Sequence, residues 1–115
     1  MGLYKKASAA NFKINRSEAE VLKACLEYLK LRGHFVWRQN TGQATTSGRR
    51  IRFGIPGCAD IIGITRYSGK FLAVECKSLT GRQSIEQIAF ERECKSSGGI
   101  YILARSIEDL KAAGL

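Results

Sequence analysis

The stretch GIPGCADIIG, residues 54–63, sets one carboxylate, Asp60, between the chain's only proline and an unbroken apolar run. A second stretch, FLAVECKS at 71–78, has the pattern of a core strand and ends with Glu75 and Lys77 on either side of Cys76. Short apolar runs bounded by Gly and Ser read as buried strands, and the intervening RYSG turn predicts a hairpin. Charged side chains are rarely set into strands this apolar without a partner or an ion. The two strands therefore anchor both the fold and the search for a site.

Working outward, SEAEVLKACLEYLKLRG, residues 17–33, repeats apolar residues at Val21, Leu22, Cys25, Leu26 and Leu29, the spacing of one helical face. Ser17 and Glu20 form a capping box at its start and Gly33 stops it. HFVWR (34–38) reads as a strand. The polar segment QNTGQATTSGRRIRFGIPG reads as a long loop in which IRF forms a short strand at most. Beyond the hairpin, SIEQIAFERECKSSGG predicts a helix from Ser84 to a stop at Gly98, IYILA (100–104) a buried strand, and SIEDLKAAG a terminal helix capped by Ser106. A helix must intervene if strands 71–77 and 100–104 pair in parallel, so the order predicts an α/β sandwich around a central mixed β-sheet.

The chain has 115 residues, 44% hydrophobic and 25% charged, the size of one domain with a core of its own. Residues 1–16, with Lys5, Lys6, Lys13 and Arg16 and no acid, read as a basic arm, and residues 17–115 as the domain. Nineteen Lys and Arg against ten Asp and Glu give a net charge of +9, a field that attracts polyanions, nucleic acid foremost. No stretch approaches the roughly 20 apolar residues of a membrane span, and no apolar run of signal-peptide length opens the chain, so a cytoplasmic protein without membrane contact is expected. The four cysteines are widely spaced, with no C-x-x-C pair and a single histidine, His34, which argues against structural zinc and for reduced core cysteines. His34, after the helix stop, is expected on the surface without a role.

Alternation along a strand puts Glu75 and Lys77 on one face, about 6.6–6.8 Å apart, and turns Cys76 toward the core. The Cys76 carbonyl then stands beside Glu75, and a short turn brings Asp60 near it. Two carboxylates and a carbonyl form a hard oxygen site suited to Mg²⁺ or Mn²⁺. With a lysine beside it, such an ion is equipped for phosphodiester hydrolysis.

GIPGCAD followed by ECK resembles the D…E-x-K core of the PD-(D/E)XK nuclease superfamily. The ordered set of a glutamate on the first helix, NTG, RIRFGIPGCADIIG, AVECKS and SIEQ resembles the VRR-NUC family in its small standalone form, typical of phage and bacterial genomes, over residues 17–110. Ala59 stands where the superfamily name suggests Pro. The resemblance implies a restriction-endonuclease-like fold, a metal site of Asp60, Glu75 and the Cys76 backbone, Lys77 as catalytic lysine, and Gln87 supporting the site from the following helix. Gln87 also completes an S-x-x-Q capping box with Ser84, and one residue is expected to serve only one of these roles at a time. The family's helix acid is assigned to Glu18, which shares a face with Val21 and Leu22, leaving Glu20 as the cap.

Arg49, Arg50 and Arg52 in the loop, with Arg38, Asn40 and Thr41 beside it, suit phosphate contacts that position DNA without reading bases. Trp37 and Tyr101, at strand positions, are expected in the core. Standalone members look like Holliday junction resolvases, so the resemblance implies cleavage of four-way junctions; two symmetric cuts by a chain with one site imply a homodimer. The alternatives are a DNA-binding module with a vestigial site and a nicking or restriction-type nuclease on ordinary duplex.

Overall fold

The computed structural model describes residues 15–39 and 42–115, with backbone alone for 42–46, 52 and 53. Helix α1 (Glu18–Leu31) begins at the Ser17 N-cap, where the Ser17 hydroxyl accepts from the Glu20 amide and the Glu20 carboxylate accepts from the Ser17 amide. Its buried stripe is Val21, Cys25 and Leu29, one residue per turn. Strand β1 (Phe35–Arg38) follows, then β2 (Gly42–Thr46), β3 (Arg49–Phe53), β4 (Ile61–Ile64), β5 (Phe71–Cys76), α2 (Ile85–Ser96), β6 (Ile100–Ala104) and α3 (Ile107–Ala112).

Four of these strands form a mixed sheet in the order β1-β4-β5-β6. The β1–β4 and β4–β5 pairs are antiparallel, whereas β5 and β6 run parallel with α2 as their crossover. Alternation sorts the side chains into two layers. Ile61, Leu72, Val74, Cys76 and Ala104 face α1 and α3, where Val21, Cys25, Leu29, Leu110 and Leu115 complete a buried cluster. Each Leu or Ile in it contributes roughly 1.5–3 kcal/mol by leaving water. On the other face Ile62, Ala73 and Tyr101 pack with Cys94, Phe90 and Leu103.

Helix α2 packs against β6. Toward β1 and β4 the same face lacks a helix among the described residues, and Phe35, Trp37, Ile64 and Phe71 stand exposed there. Trp37 is thus not a core residue as expected; Tyr101, beneath α2, is.

The polar segment before β4 is a hairpin rather than a loop. β2 and β3 pair antiparallel from Gly42↔Phe53 to Thr46↔Arg49, and Ser47 (φ 52°) and Gly48 (φ 75°) make the two-residue turn. Positive φ at both central positions matches the right-handed twist of the flanking strands. All four cysteines are free, and Cys25, Cys76 and Cys94 are buried. His34 has a structural part, its Nδ1 accepting at 2.9 Å from the amide of Arg66 in the β4–β5 turn. Among the described residues no helix is long and apolar enough to cross a membrane.

Candidate active site

The β4–β5 register places Ile61 opposite Val74, so Asp60, one residue before β4, arrives beside the end of β5. Its Oδ2 accepts the Cys76 amide at 2.8 Å, taking the place of a strand partner where β4 has not yet begun. On the other edge of β5 the Lys77 amide donates to the Ala104 carbonyl at 3.0 Å. A trans peptide turns its C=O away from its N–H. The Cys76 carbonyl, which shares that peptide plane, therefore points away from β6 and toward the side where Asp60 lies. Two carboxylates and one backbone oxygen are brought to a common edge.

Glu75 is 2% exposed. Its Oε2 accepts from Gln87 Nε2 at 3.0 Å and lies 3.5 Å from Lys77 Nζ. Its Oε1 has no hydrogen-bond partner, and among the described residues it is the one buried side-chain polar atom in that condition. Burial pushes the Glu75 carboxyl up to about 8, the nearby negative charge of Asp60 adds to the rise, and Lys77 opposes it. A carboxyl buried beside another acid ionises only where positive charge stands close by, and the Lys77 ammonium supplies part of that charge.

Lys77 is itself 8% exposed and is shared: its Nζ lies 3.4 Å from Glu18 Oε1 as well. Glu18, from the first turn of α1, thus reaches the site from the opposite layer, while Glu20 is spent on the cap. Gln87 corrects an expectation. Its Oε1 accepts the Ser84 amide at 2.8 Å while its Nε2 donates to Glu75, so the capping box and the site contact are made at once by the two ends of one amide.

Neighbouring backbone holds this group together. Gly57 (φ 75°) lets the GIPG turn lie against the start of α2, where a Cβ would come within 2.2 Å of the Glu86 carbonyl oxygen. The same added carbon would stand 2.8 Å from the Gln87 amide nitrogen. Arg105, which the sequence did not single out, donates from Nη1 to the carbonyls of Ser78, Leu79 and Gly81 and so fixes the segment after Lys77. No spacing pattern announces such a residue, because its three acceptors lie on a distant segment of chain.

Of the expected site residues, Glu18, Asp60, Glu75, Cys76, Lys77 and Gln87 converge. Arg38 on β1 and Arg49 and Arg50 on β3 are exposed, and the ion pairs among the described residues include none of the three. Asn40 and Thr41 lie outside the described residues, as does the Arg52 side chain and most of the arm at 1–16. Between Glu27 and Glu75 the sequence holds eight cations, Lys30, Arg32, Arg38, Arg49, Arg50, Arg52, Arg66 and Lys70, and one acid, Asp60.

Among the described residues there is no group of three His, Cys, Asp or Glu side chains arranged to hold a metal. The donors here are two carboxylates and a peptide oxygen, a set that fits Mg²⁺, which keeps several waters and binds through one or two carboxylates. The buried Oε1 of Glu75 fits the same ion, since it is an oxygen with no hydrogen-bond donor beside it. Comparison with protein-family models returns no match, and neither does comparison with curated proteins.

Proposed function

We propose that the chain is a divalent-metal-dependent nuclease of the VRR-NUC type, built on a restriction-endonuclease-like sandwich, that hydrolyses phosphodiester bonds in branched DNA such as four-way junctions. The observation that carries this reading is Glu75: a buried carboxyl with one unpartnered oxygen, beside Asp60 and 3.5 Å from a nearly buried lysine. A surface ion pair needs none of this burial. Asp60, Glu75 and the Cys76 carbonyl would hold Mg²⁺ or Mn²⁺, which when bound polarises a phosphate oxygen and lowers the pKa of a coordinated water.

The protein's own groups supply the rest. Lys77 presents an ammonium at the edge of the acid pair, placed to stabilise negative charge growing on the phosphate, and Glu18 fixes its direction. Gln87 holds the Glu75 carboxylate in one orientation, leaving Oε1 free for the ion. The cationic stretch between Glu27 and Glu75 suits the DNA backbone. One site per chain and two cuts per junction favour a two-fold homodimer.

A Mg²⁺-dependent cleavage assay on four-way junction, flap and linear duplex tests the reading, with Lys77→Ala as the inactive control. Cleavage of the junction ahead of duplex supports it. Binding of all three without cutting identifies a DNA-binding module, and equal cutting of linear duplex identifies a nicking or restriction-type enzyme. Sedimentation velocity tests the dimer.

A further inference from the structure

The open face of the sheet is apolar from its β1 edge to β5. In register, Phe35 lies opposite Ile64, which in turn faces Phe71, and the next row runs from Trp37 through Ile62 to Ala73. Alternation points all six to this face, and none carries a charge. Phe35 is 68% exposed, and Trp37, Ile64 and Phe71 lie between 41% and 43%. The Phe35 and Trp37 ring centroids are 5.4 Å apart. Phe71 carries the face to a hollow of about 260 Å³ whose walls include Phe90, Cys94 and Gly99.

A whole aromatic side chain presents about 150–250 Å², so the exposed parts of the three rings come to roughly 300 Å² per copy. An interface of standard size takes about 800 Å² from each partner, roughly 65% of it apolar in homodimers. The rings, Ile64 and the hollow match the apolar centre of such an interface, and a polar rim completes it. Charge selects the occupant. The chain carries +9, yet the two rows hold no cation, and the groups that border them are acids, Asp60 just before β4 and Glu93 at the hollow. A polyanion finds no counter-charge on these rows. Two copies of a strongly basic chain, by contrast, repel each other least where cations are absent.

We infer that Phe35, Trp37, Ile64 and Phe71 form the centre of a two-fold interface with a second copy of this chain. The same patch then serves on both sides, so each ring is buried twice in the assembly. The interface reaches the acid pair. Asp60 precedes Ile62 by two residues and shares its face. The Trp37 indole donates to Gln39 Oε1 at 3.1 Å, and the Gln39 amide donates to the Asp60 carbonyl at 2.7 Å. Burial of Trp37 against a partner therefore steadies the residue that holds the Asp60 backbone. The interface itself stands on the face alone; its consequence, two acid pairs carried by one dimer for paired cuts, rests on the nuclease reading.

Trp37 is the only tryptophan, so its emission reports on this face directly. In sedimentation velocity at micromolar concentration the wild-type chain is expected to be a dimer, with Trp37 emission that moves to longer wavelength as dilution produces monomer. Phe35→Lys and Phe71→Ser, each checked for fold by circular dichroism, are expected to weaken dimerisation at least about a hundredfold, because each change acts twice across the two-fold. Both are expected to show the long-wavelength emission without dilution. Leu31→Ser, at an 87% exposed position on α1, is expected to leave the dimer unchanged. A wild type that stays monomeric up to millimolar concentration overturns the interface, and so does a dimer that Phe35→Lys and Phe71→Ser both leave intact. Quenching of Trp37 by an oligonucleotide in a monomeric wild type overturns it in favour of nucleic acid. Failure of the nuclease reading looks different: the dimer, the emission shift and the variants behave as expected, and wild-type protein cuts no substrate.

Discussion

Gln87 holds Glu75 and the N-terminus of its own helix with the two ends of one side-chain amide, Nε2 to Glu75 Oε2 at 3.0 Å and Oε1 to the Ser84 amide at 2.8 Å. Gln87→Glu keeps the acceptor for the cap and replaces the donor by a second carboxyl facing Glu75. Gln87→Leu removes both contacts. The leucine variant is expected to lose about 1–3 kcal/mol of stability in urea unfolding. The glutamate variant is expected to keep the helix start and to lose cleavage, which circular dichroism and the junction assay read separately.

Glu75 gives metal-free protein a distinctive pH dependence. Its folded-state pKa is raised to about 8 by burial and by Asp60, whereas in the unfolded chain a glutamate titrates near 4.3. Between those values the folded state binds the extra proton, so stability present at acid pH falls as the pH rises through about 8. Chelator-treated wild type is expected to lose stability from about pH 5 to pH 8 in urea unfolding, and Glu75→Gln to lack that decline. Equal slopes in the two proteins would exclude the burial effect.

Two glycines with positive φ separate backbone strain from packing. Gly69 (φ 65°) has open space where a Cβ would stand, but at Gly57 (φ 75°) the added carbon meets the Glu86 carbonyl at 2.2 Å. Gly69→Ala is expected to cost about 1–2 kcal/mol, the price of the left-handed conformation alone. Gly57→Ala is expected to cost at least about 1 kcal/mol more, from displacement of the turn or helix, and also to lower cleavage by shifting Gln87 from Glu75. Urea midpoints of the two variants measure the difference.

Arg105 acts at one remove as a positioning residue. Lys at 105 keeps the charge but lacks the planar fork that reaches the Ser78, Leu79 and Gly81 carbonyls. Arg105→Lys is expected to speed hydrogen exchange at the Gly81 amide, which bonds to Ser78, and to lower kcat with little change in KM. Unchanged exchange at that amide would remove Arg105 from the site's support.

Much of this was legible in the sequence because apolar periodicity fixes strands and helix faces locally. The buried runs at 61–64 and 71–76 and the Val21–Cys25–Leu29 stripe define the sheet and α1, and the D…E-x-K spacing brings Asp60, Glu75 and Lys77 together through a single short turn. The hairpin at 42–53 was hidden, since its strands carry Gly, Gln, Thr and Arg in place of apolar alternation and its Ser47–Gly48 turn lacks the stronger Asn-Gly signal. The exposure of Trp37 was hidden too. Its strand is ordinary, and among the described residues α2 packs over β6 and not over β1. Nor does an i, i+3 pattern reveal that the amide of Gln87 has two ends in use.

The central claim is that Asp60 and Glu75 hold one divalent cation between them. Titration of Mn²⁺ into the protein, followed by the loss of free-ion electron paramagnetic resonance signal, tests it without any substrate. Asp60→Asn retains an oxygen for the Cys76 amide and Glu75→Gln retains its shape, so both variants are expected to fold. Wild type is expected to bind Mn²⁺ with an affinity that rises with pH toward 8, and each variant to bind it at least about tenfold more weakly. Equal Mn²⁺ binding by wild type and both variants would contradict the claim.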